Sequence, residues 1–81
     1  MNLYAITDNP SILIGLEMAN ISTQIAQTPA EFLQALTHIP KSANLVIITE
    51  SLSAKTPEVI QEYRARNPKT LLTIIPDTSI S

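Results

Sequence analysis

The sequence predicts an α/β domain: a small open parallel four-stranded sheet in order 2-1-3-4, with helices on both faces. Three observations lead there. Asn9-Pro10, Thr28-Pro29 and Thr56-Pro57 each place a capping side chain before a proline at the head of an apolar-periodic segment. Short aliphatic runs lie between those segments, and Leu45–Thr49 and Leu71–Ile75 are almost continuously apolar. Strands covered on both faces read this way, whereas a solvated face would impose alternation. Finally, strands and helices alternate, so successive strands pair in parallel through right-handed crossovers.

Leu3–Thr7 is the first strand. Pro10 opens the first helix, which runs to Ala19 with Ile12, Leu13, Leu16 and Met18 turned inward. Proline serves at a first helical turn because the amide it lacks would have no intrahelical partner there. Ile21–Ala26 is the second strand, and its Ser22, Thr23 and Gln24 suit an edge position. Thr28-Pro29-Ala30-Glu31 fits a capping box, with Glu31 reaching back toward Thr28. It heads a helix from Pro29 to His38 that buries Phe32, Leu33 and Leu36. Leu45–Thr49 follows as a covered strand. The third helix runs from Pro57 to Arg66, burying Val59, Ile60 and Tyr63, with Glu62 and Arg66 at the spacing of a surface ion pair. Leu71–Ile75 closes the order β-α-β-α-β-α-β. No repeat or linker interrupts residues 1–81, which read as one domain.

Composition narrows the chemistry. The 81 residues include one glycine and no cysteine. Without cysteine there are no disulfides, thiol nucleophiles or sulfur-ligated metals. One glycine cannot build either glycine-rich phosphate loop, so no nucleotide cofactor is expected. The net charge of −2, with scattered bases, offers no basic stripe for nucleic acid. No apolar run approaches the roughly 18–20 residues of a membrane span, and Met1–Tyr4 lacks the basic start of a secretory signal. A soluble cytoplasmic protein is the simplest reading.

The carboxyl edge of the sheet, where α/β proteins carry their sites, would present Thr7-Asp8-Asn9, Ala26-Gln27, Thr49-Glu50-Ser51 and Pro76-Asp77. Asp8 and Glu50 form the one plausible acid pair, since their strands would be neighbours. Their plain role is to polarise the ends of the following helices. His38 has no second histidine for a metal site, and suits the carboxyl end of its helix. The serines lack a histidine-centred relay. The sequence therefore predicts a non-catalytic domain. Its topology, with an acid after the first strand, is similar to response-regulator receiver domains. However, Asp8 stands alone, the third strand ends in Thr49-Glu50, and the fifth strand with its lysine is absent.

Two stretches carry a closer resemblance. The first runs from Ile6 to Ile21: Thr7-Asp8-Asn9-Pro10-Ser11, then Gly15-Leu16-Glu17-Met18-Ala19-Asn20-Ile21. The second is Leu45-Val46-Ile47-Ile48-Thr49-Glu50, followed by Pro57-Glu58-Val59-Ile60, and finally Leu71–Ile75 running into Pro76. Together they resemble the F subunit of the V/A-type rotary ATPases. That family shows a first strand ending in G-D, a helix with G-F-R-L-A-G-I, a strand ending in I-T-E, and a last strand running into I-P. Gly15 falls on the glycine inside the family's first helix. Thr7, Glu17 and Asn20 depart from the pattern, standing for glycine, arginine and glycine. The family continues into a C-terminal helix, and this sequence stops at Ser81. It is either an N-terminal domain alone or a compact relative, and nothing attributed to that helix is carried over.

The resemblance implies a non-catalytic rotor component on the central stalk. Its partners would be the coiled-coil shaft subunit and, as a second contact, the catalytic head. Its location would be cytoplasmic, held at the membrane through the complex without inserting. Docking candidates are Asp8, Ser11, Glu50, Ser51 and Leu52; Leu52, in a polar stretch, is either a core plug or an anchor. The alternative is a free-standing regulatory or receiver-like α/β binding domain. Gly15, inside a helix where glycine costs up to about 1 kcal/mol against alanine, implies close packing or the close approach of another backbone.

Overall fold

Pro10, Pro29 and Pro57 each stand at the start of a helix, and two of the three preceding residues cap it with a side chain. In the computed structural model, which describes residues 2–76, the Asn9 side chain accepts from the Ser11 amide at 2.9 Å. Thr28 likewise accepts from the Glu31 amide at 3.1 Å. The return arm of this cap lands one residue early, since the Glu31 carboxylate takes the Gln27 amide at 2.8 Å. Thr56 makes no such cap, because its hydroxyl donates to the Leu52 carbonyl at 3.2 Å. The elements are β1 (Leu3–Thr7), α1 (Pro10–Met18), β2 (Ser22–Ile25), α2 (Pro29–Thr37), β3 (Leu45–Thr49), α3 (Glu50–Lys55), α4 (Pro57–Arg66) and β4 (Leu71–Ile75). The four strands are parallel in order β2-β1-β3-β4, which is the topology the alternation predicts.

The main core lies between the sheet and the α2/α4 layer. It joins Ile6, Val46 and Ile48 of the sheet to Phe32 and Leu36 of α2 and Ile60 of α4. On the other face, Ala5 of β1 and Ile12 of α1 are buried, and Leu13 and Leu16 are half-buried. Two residues expected inside are outside: Leu33 is 51% exposed and Met18 82%. At 3.6 residues per turn, Met18 sits about 240° round α1 from Ile12. Leu33 likewise falls a quarter-turn off the Phe32–Leu36 line.

The polar stretch after β3 is a helix, α3, that the sequence did not disclose. It leaves β3 directly, and Thr49 at its head makes no side-chain cap. Glu50 in its first turn and Lys55 in its last complement the helix dipole. Leu52 is fully buried within the core cluster. Of its two possible roles it takes the core plug, and it leaves the surface set of docking candidates.

β4 departs from expectation in the other direction. It is the edge strand that the order 2-1-3-4 requires, hydrogen-bonded to β3 alone, but its apolar run reads as covered on both faces, and Leu71 is 71% and Ile74 41% exposed. The Leu71 amide donates to the Asn44 carbonyl. The backbone groups of Leu71, Thr73 and Ile75 therefore face β3, and those of Leu72 and Ile74 face outward. Arg64 of α4 donates to the Leu72 carbonyl at 3.3 Å. This guanidinium covers part of an otherwise uncharged edge, which is one way proteins discourage strand-to-strand association. β2, the other edge, is the polar strand the sequence placed there.

α1 ends through Asn20, whose φ of 64° is left-handed. The Ile21 amide reaches back to the Leu16 carbonyl at 3.1 Å and that of Asn20 to Glu17 at 3.0 Å, closing the helix as a Schellman motif. Asparagine tolerates this conformation better than other non-glycine residues. At Gly15 the close-packing explanation fails among the described residues, where an added Cβ would meet no atom within 4 Å.

Two stability measurements follow. Leu52→Ala should cost about 2–5 kcal/mol in urea unfolding, the range for truncating a fully buried leucine. Gly15→Ala should raise stability by up to about 1 kcal/mol by the same measurement; a loss would mean that the glycine is packed after all.

Candidate functional site

β1 and β3 are adjacent and parallel, so their carboxyl ends emerge side by side. Their last residues, Thr7 and Thr49, are both fully buried. The Thr49 hydroxyl donates to the Thr7 hydroxyl at 3.1 Å, and the Asn9 amide donates to the same Thr7 oxygen at 3.1 Å. One hydroxyl thus ties the end of β3 to the loop that launches α1. β2 is joined to the same corner through the Ala26 amide, which donates to the Thr7 carbonyl at 3.0 Å.

The residues immediately after these threonines are brought together. The Ser51 hydroxyl lies 2.7 Å from one Asp8 carboxylate oxygen and 2.9 Å from the other. Lys55 donates to Asp8 Oδ2 at 3.3 Å. The Asp8 side chain is only 12% exposed and that of Lys55 50%. Burial pushes the Asp8 carboxyl up, but the Ser51 hydrogen bond, the hydrogen bond and charge of Lys55 and a backbone amide outweigh it, so the carboxyl titrates below its ordinary range. Asp8 therefore straps the start and the end of α3 to β1.

Asp8 is turned to Ser51 and Lys55, while Glu50 is exposed in the first turn of α3. Ser11 is exposed in the first turn of α1. Asp8, Ser11, Glu50 and Ser51 thus all lie at the carboxyl end of the sheet, with Asp8 and Ser51 in direct contact. Asp77, expected at the same edge, lies outside the described residues. The sequence missed Lys55 as the partner of Asp8. Only a helix of α3's length brings it there, and no sequence signal marks α3. His38 caps α2, its Nδ1 2.8 Å from the Gln34 carbonyl, as suits a helix end.

Among the described residues no group of three or more acids and histidines converges as a metal site would require. A groove of about 410 Å³ lies between α2 and α4, away from this edge, lined by Leu33, Val59 and Tyr63 among others. Burial pushes the Tyr63 phenol up. No helix among the described residues is long and apolar enough to cross a membrane.

The sequence profile of a family described as ATP synthase (F/14-kDa) subunit matches residues 3–81. No curated protein and no solved structure gives a significant match.

The Asp8 strap has a pH signature. A carboxyl held below its unfolded value of about 3.9 contributes stability above that value and loses it as the pH falls through the folded value. Wild type should therefore exceed Asp8→Asn in unfolding free energy at neutral pH, and the gap should close as the pH is lowered from about 5 through the folded value, which lies below the unfolded one. A gap that is constant with pH would remove the charge from the account.

Proposed function

Because the chain belongs to the family of the ATP synthase (F/14-kDa) subunit, the F subunit of V/A-type ATPases, we propose that it is a non-catalytic part of the rotor. In this reading it docks on the coiled-coil shaft subunit and helps couple the nucleotide-hydrolysing head to the ion-translocating ring. It works in the cytoplasm, at the membrane only through the complex. The observation that carries the reading is the family match along residues 3–81.

The chemistry of the carboxyl edge agrees with docking better than with turnover. General acid–base catalysis needs a group free to exchange a proton with a substrate at the working pH. Asp8 is instead ionised well below neutrality and engaged by Ser51 and Lys55. A braced polar edge of this kind offers fixed hydrogen-bonding groups and charge to a protein surface. Asp8, Ser11, Glu50 and Ser51 are its proposed contacts.

The experiment is to mix the purified chain with the shaft subunit of the same ATPase and monitor complex formation by size-exclusion chromatography and calorimetry. A stable complex at micromolar concentration is expected. A well-folded chain that stays free of the shaft under those conditions would overturn the assignment.

A further inference from the structure

The two faces of the sheet are unequally covered. α2 and α4 both pack on one face and share its core. On the other, α1 lies over β1 and β2, and no other helix among the described residues covers β3 and β4 there. The residues left on that half-face are Leu45, Ile47, Leu71, Thr73 and Ile75, none of them charged. Leu71 is 71% exposed. Four strands at about 4.8 Å spacing leave room for two helices at about 8–10 Å separation, so the uncovered strip is one helix wide.

Its side wall is unusual in composition. Ser11 and Gly15 of α1 and Ala19 at its C-cap recur every four residues along one flank. The right-handed crossover from β1 to β2 turns this flank toward β3. At Gly15 the wall has open space, so a neighbouring helix could approach α1 closely. At the carboxyl ends of the strands Asp8 is already paired with Lys55, which leaves the exposed Glu50 as the excess negative charge, and Lys69 stands at the other end, in the turn that leads into β4.

We propose that one helix of the shaft subunit seats in this trough, beside α1 and over β3 and β4. The inference rests on the shaft-docking reading and assigns it a face. The occupant runs antiparallel to the strands, with the positive end of its dipole at Glu50 and its negative end at Lys69. The stripe it presents is apolar and uncharged, because any charge there would be desolvated against Leu71, Ile47 and Ile75 without a partner. Its residue opposite Gly15 approaches closely, which gives a function to a glycine that otherwise only weakens α1. Ser11 and Glu50 then border the same trough.

The absence of native cysteine allows a direct test. Single substitutions Leu71→Cys and Thr73→Cys place a thiol in the trough, and Leu33→Cys places one on the opposite face, where Leu33 is 51% exposed. In the complex with the shaft, maleimide labelling should slow at least about tenfold at the two trough positions and hardly change at Leu33→Cys. Leu71→Glu and Gly15→Leu should weaken shaft binding by at least about tenfold while circular dichroism shows the free chain folded. If the complex forms but labelling in the trough is unaffected, this face is wrong and shaft docking survives. If wild type forms no complex, both fall. If protection at Leu71→Cys instead rises with the concentration of the chain alone, a second copy is the occupant and the proposal is overturned.

Discussion

The hydrogen bond between the buried hydroxyls of Thr7 and Thr49 holds the carboxyl end of the sheet together. It joins the last residues of the two central strands, and everything at that edge is positioned from those two residues. Asp8 follows one and α3 follows the other, so the strap from Asp8 to Ser51 and Lys55 exists only when β1 and β3 end level with each other. The same Thr7 oxygen takes the Asn9 amide and so sets where α1 begins. Buried hydroxyls are tolerated in an apolar core only when they are paired.

Local signals were legible in the sequence, and long-range ones were not. Pro10, Pro29 and Pro57 mark helix starts because a first turn is set by residues within a few positions of one another. The parallel order follows from alternation, and the polarity of Ser22–Gln24 marks β2 as an edge. α3 escaped because it is a six-residue helix with no side-chain cap at its head. With it went the role of Leu52 and the identity of Lys55, which lies 47 residues from Asp8 along the chain. β4 escaped for a different reason. Its edge position follows from the predicted order, but an apolar run reports a preference for burial and not whether both of its faces find a covering helix, and α1 lies over β1 and β2 only.

That incomplete cover explains the exposure of Leu71 on β4, because among the described residues one face of the sheet carries α1 alone. Ile14 and Met18 are a separate case: they lie about 200° and 240° round α1 from Ile12 and face away from the sheet. Arg64 answers the backbone part of the problem by donating to the outward Leu72 carbonyl. The apolar side chains on the α1 side have no such answer within the described residues. The asymmetry is a property of the whole layer arrangement, and a helix-by-helix reading of periodicity does not contain it.

The Thr7–Thr49 bond joins residues 42 apart, and such contacts form only after the intervening chain has closed its loop, at an entropic cost that precedes any reward. The strap at the carboxyl edge is consequently absent from chains in which β1 and β3 have not paired. A partner that grips this edge therefore discriminates finished molecules from unfinished ones. By mass action it also draws the folding equilibrium toward itself. For a domain with a modest core, incorporation into a larger machine thus becomes a thermodynamic chaperone, acting on the equilibrium and leaving the folding route unaided.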